Sequence, residues 1–380
     1  MSANLSSNPK VRPAAAPKKT RSPRKKKAKS AILTLFFYTV FVLLFFGMLT
    51  SLWFFLTESG TNVRYMMADT LISTQHRHWA KYLIGEEELQ KRVDRYWKQF
   101  DTYTQVKDEH RVQVGKTQTP AKAQEKKPAV EIQPIEGSNF KGKLLIVNDP
   151  KSLRIAVPGT AGKGEKVSSM VKRLGAVAGV NAGGFVDPEW KGNGFQPTGL
   201  VISGGKIFYN DGGMNTPNHI VGIDKDGRLI AGKYKPSELL QMGVQEAVTF
   251  APRFIVNGVG QIKNQADGWG IAPRTCIAQK EDGTIMFAII DGRQPGYSIG
   301  ATLYDIQKIF LEHGAVTAAN LDGGSSTVLV HDNQIVNRPS SEYGERYLPT
   351  AWLVFEHPEK VTIRNIWEGL DPSKIDPSKW

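Results

Sequence analysis

Hydrophobic and polar positions divide the chain into stretches with different periods. Residues 31–56 (AILTLFFYTVFVLLFFGMLTSLWFFL) are apolar with no charged side chain. About 20 such residues suffice to cross the hydrocarbon core of a bilayer. Residues 57–112 are mixed. Within them, GEEELQKRVDRYWKQF sets Leu89, Val93, Tyr96, Trp97 and Phe100 close to helical spacing, with acids early and bases late. That pattern predicts an amphipathic helix, read here as a stalk holding the rest of the chain off the membrane. The alternative, a dimerising coiled coil, would need a longer heptad register. Residues 113–137 lose all period and carry three prolines with many Lys and Gln, the composition of a linker.

From 138 to 357 the period shortens to two. KGKLLIVND reads as a strand, and LVISGGKIFYN, VGIDKDGRLIAG, RFIVNGVGQI and RTCIAQKEDGTIMFAIID read as hairpins around Gly or Asp-Gly turns. TVLVHDNQIVN and TAWLVFE complete the strands. Three helices interrupt them: 165–174, ended by Gly175, 236–242, and 302–313. In the last, Thr302 and Asp305 form a capping box and Leu303, Ile306, Ile309 and Phe310 an apolar face. The fold class expected is α+β, with mixed sheets and flanking helices. Residues 358–380 turn polar and are punctuated by Trp and Pro, which predicts a peripheral tail.

One similarity is internal. KRLGAVAGVNAGGF and LEHGAVTAANLDGG share a helix end, Gly-Ala-Val and an Asn at equal spacing: Gly175 to Asn181 and Gly314 to Asn320. Each runs on into a glycine pair and then a hairpin. A pseudo-repeat of this kind predicts two related half-domains whose strand ends bring Asn181 and Asn320 to one pocket. The competing explanation is chance, since Gly-Ala-Val is a common string.

Charge changes the picture at the N-terminus only. Residues 1–30 hold ten Lys or Arg and no acid, which accounts for +10 of the formal +13; the rest carries +3, 39 basic residues against 36 acidic. The basic pI therefore belongs to the tail and gives no reason to expect a nucleic-acid partner, which would need a basic patch on the fold. The cluster Arg24 to Lys29 before the apolar run predicts a cytoplasmic N-terminus (1–30) and an uncleaved anchor (31–56) in the bilayer, with 57–380 outside. A cleaved signal peptide fits less well, because the apolar run is too long and Ser51–Ser59 has no A-x-A-like site. The single cysteine, Cys276, rules out an intrachain disulfide and any cysteine-rich zinc site.

Candidate chemistry gathers at strand ends. The run GAVTAANLDGGSST leaves a predicted strand through Asn320, Asp322, Gly323, Gly324, Ser325 and Ser326. APRT places Arg274 at a strand start, DGR places Asp291 and Arg293 at a strand end, and DGWG puts Trp269 on a loop. Two carboxylates are what glycosidic cleavage usually needs. Arginine forks bind phosphate, and bare backbone at Gly183, Gly323 and Gly324 lets N–H donors approach phosphate oxygens. A tryptophan face can pack on a sugar ring. Each residue has a plainer explanation too: Asp291-Gly292 as a turn, Arg274 with Asp291 as a structural ion pair, the Asn-Asp-Gly-Ser run as an Asx-type turn. The chain has no H-E-x-x-H, G-x-S-x-G or Walker A run. A divalent metal held by Asp side chains stays open.

The stretch from Pro273 to Val330, with its Arg-Thr, Asp-Gly-Arg and Asn-Leu-Asp-Gly-Gly-Ser-Ser-Thr blocks in order, resembles the phosphodiester glycosidase family. VNAGGF and PTGLVISGGK match its earlier blocks, so the resemblance covers about residues 140–356. Many members carry a third glycine before the serines; this chain goes from Gly324 directly to Ser325. The resemblance implies hydrolysis of the C1–O bond of a sugar-1-phosphodiester. Asp322 and Asp291 would be the catalytic carboxylates, Arg274 and Arg293 the phosphate clamps, and Asn181, Asn320, Ser325 and Ser326 the orienting groups. Set beside a membrane anchor, it implies an extracytoplasmic enzyme acting on a sugar phosphate or envelope glycopolymer such as an exopolysaccharide. Two alternatives remain: a metal-dependent phosphodiesterase using Asp291 and Asp322, and a non-catalytic polysaccharide-binding module using Trp269 and the arginines.

Overall fold

The computed structural model describes residues 23–74, 76–109, 111–114, 128–187, 193–372 and 375. Its helices are α1 (Pro23–Leu56), α2 (Glu58–Ile72), α3 (Lys81–Ile84), α4 (Glu86–Gln105), α5 (Val167–Leu174), α6 (Pro236–Gln241) and α7 (Leu303–Glu312). Its strands are β1 (Val130–Glu136), β2 (Lys141–Val147), β3 (Leu153–Ala156), β4 (Ala178–Asn181), β5 (Leu200–Ser203), β6 (Lys206–Asn210), β7 (Asn218–Asp224), β8 (Leu229–Tyr234) and β9 (Val244–Thr249), followed by β10 (Arg253–Val256), β11 (Val259–Gly260), β12 (Arg274–Lys280), β13 (Ile285–Ile290), β14 (Ala315–Asn320), β15 (Leu329–His331), β16 (Gln334–Ile335) and β17 (Ala351–Val354).

The chain divides into two units at Val63/Arg64. In the first, Ser30–Leu56 of α1 is long and apolar enough to cross a membrane, and its large side chains are exposed.

The second unit is α+β. Its strands form three sheets, in the orders β1-β2-β13-β12-β14-β10-β11, β16-β15-β4-β17-β3 and β6-β5-β9-β7-β8. Every ladder among them is antiparallel. The reason lies in the turns. Two-residue turns that need positive φ join neighbours directly, as Gly204-Gly205 does for β5–β6 and Asn257-Gly258 for β10–β11.

Period-two side chains on the long sheet feed two cores. Leu145, Ile277, Phe287 and Ile289 face the core shared with Val180 and Trp352 of the second sheet and Val201, Val221 and Val248 of the third. Leu144, Cys276, Ala278, Met286 and Ile290 face the other way, onto Leu303, Ile306 and Phe310 of α7 and Phe100 and Tyr103 of α4. Covered on both faces, β13 is buried at every position, which is why it reads as an unbroken apolar run. The capping box of α7 forms as the sequence implies: Thr302 Oγ1 accepts the Asp305 N–H at 3.2 Å and Asp305 Oδ2 accepts the Thr302 N–H at 3.1 Å.

Three expected boundaries move. Within the expected stalk 57–112, residues 68–106 are no free stalk. Leu89 and Val93 pack on Ala68, Ile72 and Ala80, while Phe100 and Tyr103 pack into the second core. Arg253, buried at 4 % exposure, donates from Nη2 to the carbonyls of Tyr103 (2.8 Å) and Val106 (2.6 Å), where the end of α4 leaves acceptors unpaired. The expected linker 113–137 includes 115–127, which lie outside the described residues; β1 begins within it at Val130 and pairs along the full length of β2. In the tail, Trp367 is 3 % exposed, donates to the Phe195 carbonyl at 3.1 Å and joins the shared core. Its indole needed a core position that a polar neighbourhood concealed.

Candidate active site

The loop after β14 is stitched to the end of β4. The Asp322 N–H donates to the Ala182 carbonyl at 3.0 Å, and the Asn181 side-chain amide donates to the Asp322 carbonyl. Asn181 Oδ1 in turn accepts from Thr275 Oγ1 (2.8 Å) and the Val328 N–H (3.1 Å). Asn320 donates to the Ala251 carbonyl at 3.0 Å and accepts from the Cys276 thiol at 3.3 Å. The two asparagines of the repeat thus sit on different sheets and meet at one loop. Asn181 is fully buried and acts as a brace rather than a lining residue. Burial pushes the Cys276 thiol up to about 12, so it stays protonated as a donor.

Above this loop lies a cavity of ≈ 680 Å³. Asp322, Gly323, Gly324, Ser325, Ser326, Asn320, Arg274 and Arg293 line it. Gly323 is required by its surroundings: a Cβ there would stand 2.9 Å from the Pro273 carbonyl oxygen. Gly324 takes φ +60, the left-handed region.

Asp322 has a divided carboxylate. Oδ1 accepts the Gly323 N–H at 3.0 Å, while Oδ2 is buried without a hydrogen-bond partner among the described residues. Burial raises its pKa to about 6, against the pull of the Ser326 hydroxyl and the Arg346 guanidinium.

The arginines differ. Arg274 is 6 % exposed and donates to the carbonyls of Ala301 (3.3 Å), Trp269 (2.7 Å) and Gly270 (3.0 Å), so much of its fork holds the protein together. Arg293 is exposed, takes φ +59, and reaches Ser325 Oγ at 3.2 Å.

Three further expected residues, besides Asn181, lie off the cavity lining. Asp291 is 2 % exposed and does not line the cavity; its oxygens accept from Asn337 Nδ2 (2.9 Å), the Arg338 N–H (2.9 Å) and the Tyr297 hydroxyl (3.0 Å). It anchors the 337–338 loop. Trp269, 5 % exposed, is buried among Tyr96, Phe100 and Tyr103 and donates to Gln99 Oε1 at 2.8 Å, so its ring faces helix α4 and not a sugar. Gly183 lies behind the lining, its N–H on Thr350 Oγ1 at 3.1 Å, and its neighbour Gly184 lines the cavity instead.

Other lining residues escaped the sequence reading. Asp187 and Arg346 form an ion pair at the cavity wall, and the Arg346 guanidinium lies 4.9 Å from the Phe185 ring. Asp187 follows the first copy of the repeat, which was the available signal. Arg77, Tyr96 and Trp97 come from the helical segment before 113; the spacing puts Tyr96 and Trp97 on the apolar face of a helix, and nothing in it ties them to a cavity.

With Asp291 bound up elsewhere, Asp291 and Asp322 are not brought together as a pair of metal ligands. Among the described residues no group of three His, Cys, Asp or Glu side chains is placed to hold an ion.

Comparisons with known proteins agree with this layout. Residues 174–355 match the family model described as phosphodiester glycosidase. The SPbeta prophage-derived uncharacterized protein YomE of Bacillus subtilis is 28% identical over 211 residues, covering 54% of this chain and 31% of that protein. N-acetylglucosamine-1-phosphodiester alpha-N-acetylglucosaminidase of Bos taurus is 25% identical over 159 residues, 37% of this chain and 29% of the relative. The chain thus spans about a third of the length of these relatives. The solved catalytic domain of the zebrafish N-acetylglucosamine-1-phosphodiester alpha-N-acetylglucosaminidase, auto-inhibited by its pro-peptide, superposes with a TM-score of 0.50 at 24% identity, over 60% of this chain and 84% of that one, a likeness of fold. Residues 174–355 thus match the phosphodiester glycosidase family, and the architecture is similar in fold to a solved catalytic domain.

Proposed function

We propose that this chain hydrolyses the C1–O bond of a sugar-1-phosphodiester, of the GlcNAc-1-phosphodiester type named for its mammalian relatives. The observation that carries the reading is Asp322: a cavity-lining carboxyl followed by two glycines, its Oδ2 buried with no hydrogen-bond partner among the described residues, with Arg274 and Arg293 lining the same cavity. In this reaction the oxygen of water ends on C1. The C1–O bond breaks, and the phosphate keeps the bridging oxygen and leaves as a monoester. Phosphate leaves readily, so the greater need is for charge stabilisation as the bond opens. Arg293, with the exposed part of its fork, and Arg274 supply it. Asp322 in its ionised form takes the proton of the attacking water or attacks C1 itself. Asp187, paired with Arg346, is the second carboxylate at hand, in the role the resemblance implied for Asp291.

The test is turnover of a GlcNAc-1-phosphodiester in oxygen-18 water. Label in the sugar supports the assignment. Label in the phosphate would mean P–O cleavage and a phosphodiesterase, and binding without turnover would mean a recognition module.

We further propose that α1 is a signal anchor, with the basic N-terminus in the cytoplasm and the catalytic unit outside, acting in cell-envelope or exopolysaccharide metabolism. The charge-free span of 31–56 and the ten basic residues before it support this orientation.

A further inference from the structure

The family match begins at residue 174, yet one wall of the cavity comes from residues 73–97. Ser73, Thr74, Arg77, Tyr96 and Trp97 line it, and Trp97 keeps 49% of its surface exposed although its helix is docked. This wall is fixed in place. Arg92 pairs with Asp69, the Ile271 N–H donates to Thr70 Oγ1 at 3.1 Å, and Phe100 lies 4.2 Å from Trp269, centroid to centroid.

The charge balance of the cavity exceeds what one phosphodiester needs. Its described lining holds four arginines (77, 274, 293 and 346) against two aspartates (187 and 322), with no lysine or glutamate. Arg346 and Asp187 cancel as a pair. With Asp322 ionised, the remaining three guanidiniums leave a net charge of +2 (3 − 1), and a single phosphodiester brings −1. Arg274 and Arg293 flank the Asp322 loop. Arg77 stands on the helical wall. Its Nε donates to the Ile72 carbonyl at 3.1 Å and its guanidinium lies 5.8 Å from the Trp97 ring, while its two amino nitrogens have no acceptor among the described residues. A cation held on a rigid wall, beside an exposed aromatic ring and without a carboxylate partner, is suited to an anionic group on a ring-bearing ligand.

We infer that the helical wall is a second anion subsite, in which Arg77 binds the next phosphate along a repeating, phosphodiester-linked glycan. This rests on the glycosidase reading above. The substrate is then a polymer or oligomer of sugar phosphates, with the phosphate to be released at Asp322 and its neighbour on the alcohol side at Arg77.

The experiment uses the full chain in detergent and two probes. Both are GlcNAc-1-phosphate diesters of a hexose; in one the hexose also carries a methyl phosphodiester. The readout is the ratio of kcat/KM for the doubly charged probe over the singly charged one, a quantity internal to each folded sample. In the wild type it should be about tenfold or more, carried by KM, and should shrink with added salt. In Arg77→Gln it should fall to about one, and Arg77→Lys should restore part of it. A wild-type ratio near one, or a ratio that Arg77→Gln leaves intact, overturns the inference while the glycosidase reading stands. Failure of the wild type to turn over either probe ends the glycosidase reading and this one with it.

Discussion

At the scale of single residues, Asp322 ties chemistry to stability. Its folded pKa of about 6 lies above the ordinary 3.8, so the native state binds this proton more tightly than the unfolded chain does. The stability it contributes is therefore full below pH 3.8 and is lost as pH rises through about 6. Asp322→Asn removes the titration with a near-isosteric amide. The variant should be more stable than wild type at about pH 8, by on the order of 2–3 kcal/mol, with the gap closing toward pH 4. Its activity should fall about 10²–10⁴-fold. Thermal unfolding and kcat on one preparation check both, and a destabilised but active variant would leave Asp322 as a mere turn residue. For the wild type, kcat/KM should climb with pH along a limb centred near 6, because the working form is ionised; a falling limb there would make Asp322 the acid.

The two clamp arginines should separate in the same way. Arg274→Ala strands three carbonyls and should cost about 1–3 kcal/mol of stability along with activity. Arg293→Ala removes an exposed fork that, among the described residues, is bonded to Ser325 alone and should raise KM at constant Tm. Equal unfolding temperatures for both variants would contradict this division. From sequence, Arg274 and Arg293 look alike. What divides them is burial, which depends on loops far away in the chain.

At the scale of elements, local signals were legible and long-range ones were not. The hairpins, the capping box of α7 and the glycine ends of α5 and α7 could be read because each is decided within a few residues. The placement of the Asp322 loop at a strand end was also legible, since β14 and its polar exit are continuous in sequence. Asp291 and Trp269 were misjudged for one reason: residues distant in sequence, Asn337 and Phe100, claimed side chains that their own neighbourhoods left open. Trp269 offers a test at this scale. If its ring is the anchor of α4, Trp269→Ala should cost about 3–5 kcal/mol, as buried aromatic truncations do, and expose α4 amides to hydrogen exchange. A sugar-platform role would instead raise KM in a protein of unaltered stability.

At the scale of the whole molecule, orientation is the open quantity, and added protease gives a direct reading. Whole cells should lose the domain to external protease. Protection until lysis would reverse the proposed topology. The tail and the helical segment also show what composition conceals at this scale. A polar stretch punctuated by Trp reads as periphery, yet Trp367 fills the shared core, and a helix with a charged face reads as a spacer although two of its residues line the cavity.

The carbonyls at the end of α4, gripped by Arg253, have a consequence for how the protein can be taken apart. Helix α4 and the sheets are joined twice, once through the peptide chain and once through a packed surface. Cutting the first joint does not undo the second. Cleavage between residues 114 and 128 should yield two fragments that elute together and still turn over substrate, the smaller carrying the apolar helix and one wall of the cavity. On this expectation a nick is not a release, and if α1 is the anchor proposed above, freeing the folded unit from it would take a cut before Arg64 rather than after the helices.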